Sequence, residues 1–329
     1  RRIRLIPESG QDYNLASLMT RTSSAQPEWA HGLGASGYGI FVGLVRAYFE
    51  ERGIVIDFDV DSGVIRTALS ERATQSAFGL LNLAQVCRQA DRDAWRDVVR
   101  AHFDTVFAAS NGDSALRVDV HHFESCRDML RARLYPLDIT RQSDELVSRP
   151  GPPGTLEVLV LDLPTSVRTV SRHEADAWGV TDTALFEMAR GNLMLAGALP
   201  VTAVEIERGV QLKVIMGDPY YAASHALFLD RYLACDLPHG ALVAIPKRDV
   251  VLLHEIRTVA AVEAVTALLR ITIGMHRDGP GSLSQAVYWA HDDVFDDLPY
   301  RIEGETLRFT PPDAFLAVLE SLTRGAQWS

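Results

Sequence analysis

The stretch Leu242-Val243-Ala244-Ile245-Pro246-Lys247-Arg248-Asp249-Val250-Val251-Leu252-Leu253 decides the fold class. Two apolar runs are split by a proline, two cations and an aspartate, the pattern of two strands joined by a turn. Beyond them, Val259, Val262, Val265, Leu268, Leu269 and Ile273 recur at helical spacing. That helix is expected to end at His276-Arg277-Asp278-Gly279-Pro280-Gly281, where cations meet the C-terminal dipole and glycine stops the turn. Upstream, Val201 to Met216 is predicted as a hairpin turning at Glu207-Arg208-Gly209. Asp218-Pro219 supplies the cap and first turn of a helix running to about Ala234. Helices alternating with hairpins give antiparallel sheet packed against helices, an α+β architecture.

The same grammar extends outward. Leu156 to Leu163 is read as a strand, Ser171-Arg172-His173-Glu174 as a capping box, and Thr183 to Leu195 as a helix. Thr310-Pro311-Pro312 caps a last helix ending near Thr323. In the first half, Ile40, Phe41, Leu44, Val45 and Tyr48 predict a helix, and Ile54 to Phe58 and Val64 to Leu69 a hairpin around Asp61-Ser62-Gly63. The stripe from Trp95 to Phe107 predicts a further helix. Asn111-Gly112-Asp113 is expected as a loop, 119–134 as a short helix, and Pro150-Gly151-Pro152-Pro153-Gly154 as the break between domains. The expected organisation is a loosely ordered lead-in (1–37), an N-terminal α+β domain (38–149) and a C-terminal α+β domain (150–329), both domains following a helix–hairpin–helix order.

The 329 residues are 47% hydrophobic, enough for a sizeable core without disulfides or metal. Lys+Arg 32 against Asp+Glu 43 leaves a net charge of −11, which argues against nucleic acid or an anionic membrane as partner. Cys87, Cys126 and Cys235 are far apart and odd in number, which reads as reduced thiols in a cytoplasmic protein. The uncharged run Gly32–Val45 is too short to span a bilayer, and the Arg1-Arg2-Ile3-Arg4 start lacks a signal-peptide apolar region. No cofactor is implied.

Several segments in the second half resemble a known pattern. They are Leu161-Asp162-Leu163-Pro164 with Val167-Arg168, Trp178-Gly179-Val180, and Ala189-Arg190-Gly191-Asn192-Leu193. Gly217-Asp218-Pro219-Tyr220-Tyr221-Ala222-Ala223-Ser224 and Leu242 to Asp249 follow in the same order. Together they resemble the YtpQ-like family of bacterial proteins, best over about 156–256. Thr183 and Ala184 depart from the acidic residues usual in that family, and His225 from its frequent arginine. The resemblance implies a cytosolic bacterial protein and assigns it no activity.

Gly32-Leu33-Gly34-Ala35-Ser36-Gly37 matches a dinucleotide fingerprint, with Asp57 twenty residues on. No strand precedes it, and the strand after the helix turns back as a hairpin, so it is read as a glycine-rich lead-in. Asp218 with Tyr220, Tyr221 and Ser224 forms a candidate anion site at a helix start. Ser224 and His225 are adjacent and point about 100° apart on a helix, so they are not a dyad with each other. His122 and Cys126 stand one helical turn apart beside His121, too few ligands for a metal site. His276 and Arg277 border a polar loop of the binding type. Asp292, Asp293, Asp296 and Asp297 lack the calcium-loop pattern and are read as an acidic face, with Tyr288, Trp289 and Trp328 as interface aromatics.

Two functions are weighed. The first is a non-catalytic module that binds another protein, as an adaptor, a chaperone-like module or the neutraliser of a basic partner, with the acids at 292–297 as its support. The second is an enzyme for a small anionic or peptide substrate, with Asp218, Tyr220, Ser224, His225, Arg248 and His254 converging.

Overall fold

The structure is a computed structural model describing residues 2–4, 26–67, 77–115, 119–141, 145–163, 166–206, 210–303 and 306–326. It is α+β, and every strand pair described is antiparallel. The chain divides into two compact units, one of residues 1–116 with 140–144, the other of 117–139 with 145–329.

The first unit holds the strands β1 (Arg2–Arg4), β2 (Ile56–Asp59), β3 (Val64–Thr67) and β4 (Ala77–Gly79) in that spatial order. Helices α1 (Gly34–Glu50), α2 (Leu81–Gln89) and α3 (Trp95–Ala115) complete it. Its core is aromatic: Phe49 and Phe103 approach to 4.8 Å edge-on, with Tyr48, Phe78 and Phe107 around them. Three expectations are corrected. The Gly34-Ala35-Ser36-Gly37 run lies inside α1, and Arg2–Arg4 pairs with β2, so the described parts of the lead-in belong to the unit. Asn111-Gly112-Asp113 is the helical end of α3.

In the second unit, a short helix α4 (Phe123–Cys126) leads into β5 (Leu130–Pro136). The predicted helix over 119–134 is therefore confined to Phe123–Cys126 and the 3-10 turn Arg127–Met129, and its last five residues are strand. Leu130-Arg131-Ala132-Arg133-Leu134-Tyr135 alternates apolar and polar with period two, and that pattern prevails. β6 (Ser148–Pro150), β7 (Thr155–Asp162) and β8 (Val167–Thr169) complete this sheet, with β7 at its centre. The ladder Leu130↔Leu161 to Pro136↔Thr155 crosses the Pro150–Gly154 break, so the domain boundary expected at 149/150 is overturned. The prolines and glycines there make a connection inside one sheet.

Helices α5 (Arg172–Trp178), opened by the Ser171/Glu174 capping box, and α6 (Asp182–Leu195) pack on that sheet. The six-stranded sheet follows: β9 (Val201–Glu205), β10 (Gln211–Ile215), β11 (Ala241–Lys247), β12 (Val250–Glu255), β13 (Val287–His291) and β14 (Val294–Asp297). Their spatial order is β14-β13-β11-β12-β10-β9. The turn expected at Glu207-Arg208-Gly209 lies outside the described residues. Leu242, Ala244, Val250 and Leu252 meet helix α7 (Ala261–Asp278) on one face, and Val243, Ile245, Val251 and Leu253 are buried on the other. Burial on both faces explains why these strands read as continuous apolar runs. The hairpin β15 (Tyr300–Glu303), β16 (Thr306–Phe309) and helix α8 (Asp313–Ala326) end the unit.

The helix expected from Asp218 to Ala234 is a 3-10 segment, Ala222–Arg231, broken at Phe228 (φ −139°, ψ 47°). Tyr221 to Ala226 are all buried, and such all-round burial suits a connector wedged between two sheets better than an amphipathic surface helix. No helix among the described residues is long and apolar enough to cross a membrane.

Candidate functional site

On β5, Arg131, Arg133 and Tyr135 project from one side, while Ala132 and Leu134 enter the core on the other. Arg133 is only 8% exposed. Its guanidinium lies 4.9 Å from the Tyr135 ring centroid and 5.8 Å from that of Tyr220. Its Nη1 donates to the Tyr135 hydroxyl at 3.1 Å, and its Nε is buried without a partner. Burying a cation in this way is costly unless an anion compensates it.

Arg248 joins it from the β11–β12 turn. Pro246 has no N–H to give, the ladder slips between Ala244 and Lys247, and the turn is re-aimed. The Arg248 N–H donates to the Gly281 carbonyl at 2.9 Å, and its own carbonyl accepts from the Ala223 N–H at 2.9 Å. Its stem lies against Gly281 (φ +82°), where a Cβ would come within 2.9 Å of the Arg248 Cγ and Cδ. Glycine is required there by both conformation and space. The guanidinium stands 6.0 Å from the same Tyr220 ring. Burial first, then the charge of Arg133, lowers the Arg248 pKa, with Asp249 opposing.

Among the described residues, no carboxylate lies within ion-pairing distance of either guanidinium. Asp162 faces Arg131 at 3.9 Å and Asp249 faces Lys247 at 3.5 Å. Two cations therefore approach one half-exposed tyrosine, and neither is ion-paired with an acid among the described residues. Tyr220 is 48% exposed and forms the solvent side of the cluster.

Asp218 Oδ1 accepts from the N–H groups of Tyr220 (2.7 Å) and Tyr221 (2.8 Å), so it caps the turn that presents Tyr220. The Tyr221 hydroxyl is buried near Asp162, and burial first, then that carboxylate, raises its pKa. Ser224 accepts from the Leu134 N–H at 3.1 Å, tying the 3-10 segment to β5. His225, 2% exposed, meets the Tyr232 hydroxyl at 2.5 Å through Nδ1, and burial lowers its pKa. His254 faces the α7 side of the sheet, where its Nδ1 donates to the Gln211 carbonyl at 2.8 Å. The expected convergence of Asp218, Tyr220, Ser224, His225, Arg248 and His254 is corrected: of these, Tyr220 and Arg248 meet, and they meet at Arg133.

The other candidates fall into ordinary structural roles. His276 is lowered by burial and contacts Gln285 at 3.2 Å, and Arg277 pairs with its neighbour Asp278 at 3.3 Å. Asp292 and Asp293 (φ +46° and +61°) are the two-residue turn of the β13–β14 hairpin. Asp296 accepts from His291 Nε2 at 2.9 Å, and Asp297 ends β14. The acids lie on this hairpin with Asp292, Asp293 and Asp297 exposed and Asp296 partly so, whereas Tyr288 and Trp289, expected as interface aromatics, are buried in the core. Trp328 lies outside the described residues. His122 turns to Asp119 at 2.7 Å, while Cys126 is buried with its thiol pushed up to about 11.

Sequence reasoning misses Arg133 because 119–134 reads as a short helix, and Tyr135 falls just beyond that span. The period-two alternation ending in Pro136 was the signal. Comparison with protein-family models, with curated proteins and with solved structures finds no match to this chain.

Proposed function

We propose that this chain is a cytoplasmic binding protein for a small anionic ligand, seated between Arg133 and Arg248 beside Tyr220. The observation that carries it is the buried Arg133 guanidinium with its unpartnered Nε, at a tyrosine ring that a second arginine also approaches, neither cation being ion-paired among the described residues. An anion supplies what the site lacks, and paired guanidiniums suit carboxylate or phosphate oxygens. The net charge of −11 repels anions at long range, so the attraction is local and screened little by salt. The reading assigns the pair binding. The likeness to the YtpQ-like family adds no activity to this reading.

Thermal unfolding with acetate, sulfate and phosphate at constant ionic strength tests it. An anion at 100 times its Kd stabilises by about 2.7 kcal/mol. At least one should raise the wild-type Tm and leave Arg133→Met unmoved. Identical responses of the two proteins to every anion would overturn the proposal.

A second reading, binding of a basic protein, keeps one observation in its favour: Asp292 and Asp293 stand exposed at a hairpin tip. Salt-sensitive capture of a stoichiometric basic partner, lost in Asp292→Asn/Asp293→Asn, would support it. Capture that survives those changes would end it.

A further inference from the structure

We infer that the anion is a dianion, the phosphate group of a small phosphate monoester, and this rests on the anion-binding reading above. The first argument is the balance of donors and acceptors. Arg133 commits Nη1 to Tyr135, which accepts through its oxygen and keeps its own hydroxyl proton free to donate. Arg133 Nε is uncommitted, and the Arg248 guanidinium stands 6.0 Å from the same Tyr220 ring that Arg133 approaches to 5.8 Å. The site therefore offers a surplus of N–H and O–H donors. Three phosphoryl oxygens absorb more of them than two carboxylate oxygens can.

The second argument is charge. Elsewhere in this unit Glu157, fully buried, is gripped by Arg149 (Nε to Oε2, 2.7 Å) and Arg190 (Nε to Oε1, 2.7 Å). There a single negative charge suffices because the two arginine side chains are 33% and 36% exposed, and water solvates the remainder. Arg133 at 8% lacks that outlet and takes one negative charge for itself, which leaves the second charge of a dianion to meet Arg248.

A pair of isosteric probes separates the two charge states. Methyl phosphate loses its second proton near pH 6, whereas methyl sulfate is a monoanion throughout. The charged and titratable groups facing the pair are Arg131, Asp162, Tyr135, Tyr220, Lys247 and Asp249. Asp218 and Tyr221 flank Tyr220 in the capped turn. His225 in the 3-10 segment and His276 in α7 both have pKa values lowered by burial, so they stay neutral above pH 6.5. Methyl sulfate, whose charge is fixed, reports any protonation of the protein between pH 7.5 and 5.5, so the difference between the two probes reports the ligand.

By calorimetric titration of the full chain, methyl phosphate should bind about fourfold more tightly at pH 7.5 than at pH 5.5, the ratio of its dianion fractions. Methyl sulfate should bind about tenfold more weakly at pH 7.5 and show no pH dependence. Arg248→Gln, whose backbone bonds to Gly281 and Ala223 do not involve the side chain, should remove the difference between the probes. Equal, pH-independent binding of both, lost in Arg133→Met, would overturn the dianion and leave the anion site standing. Binding of neither would overturn both. Sedimentation with phosphatidic-acid vesicles, abolished in Arg133→Met, would place the phosphate on a lipid and overturn the small-molecule ligand; no sedimentation is expected.

Discussion

Arg133 and Glu157 occupy opposite faces of one sheet. Arg133 on β5 pairs in register with Val158 on β7, and Glu157, one residue earlier, points the other way. On the Glu157 face two arginines close on a carboxylate that the chain itself provides. At the Arg133 face two arginines approach one tyrosine ring, and among the described residues no carboxylate pairs with either, Asp162 facing Arg131 and Asp249 facing Lys247. The difference separates a finished ion cluster, whose job is to join β6, β7 and α6, from one that is completed only by a molecule from outside.

The sharpest way to break that contrast is to make the two faces alike. Glu157→Gln leaves Arg149 and Arg190 without their acid, and removing one partner of a buried pair costs roughly 3 kcal/mol or more. Urea unfolding should show that loss, and a change below about 1 kcal/mol would mean that the Glu157 cluster holds little together.

A second handle is pH. Burial lowers the His225 pKa, so the unfolded chain takes up a proton near pH 6.5 that the folded chain refuses. Stability from this group is present above pH 6.5 and is lost as pH falls from there, with a slope of at most about 1.4 kcal/mol per unit. His225→Gln should flatten the stability curve between pH 7 and 5.5. An unchanged slope would place the acid sensitivity elsewhere.

Asp218→Ala removes the acceptor for two N–H groups and should cost about 1 kcal/mol while releasing Tyr220. The smallest effect has the opposite sign. In ligand-free protein, Arg133→Met should be neutral or stabilise by up to about 1 kcal/mol, because an apolar side chain replaces an unpaired buried cation. Strong destabilisation there would show that the Tyr135 bond and ring contacts already satisfy the guanidinium, and the contrast between the two faces would dissolve.

The strands of the six-stranded sheet that are buried on both faces were legible in the sequence, since Leu242–Ile245 and Val250–Leu253 are apolar throughout. The capping box at Ser171 and the turn carrying Arg248 were legible too, because local chemistry specifies them. Long-range pairing was not. Nothing local announces that Leu130–Pro136 lies beside Thr155–Asp162 across a proline-glycine break. For the same reason the site was half visible: Tyr220 and Arg248 advertised themselves as turn residues with exposed chemistry. Arg133 gained its meaning only from being buried.

The contact between Gly281 and Arg248 also bears on how this protein can change over generations. A methyl group at 281 would occupy the space of the arginine stem, and the +82° backbone angle would resist it besides. The two positions are therefore one inherited unit. Descendants that keep the arginine must keep the glycine, and those that lose the arginine are released from half of the restriction at 281.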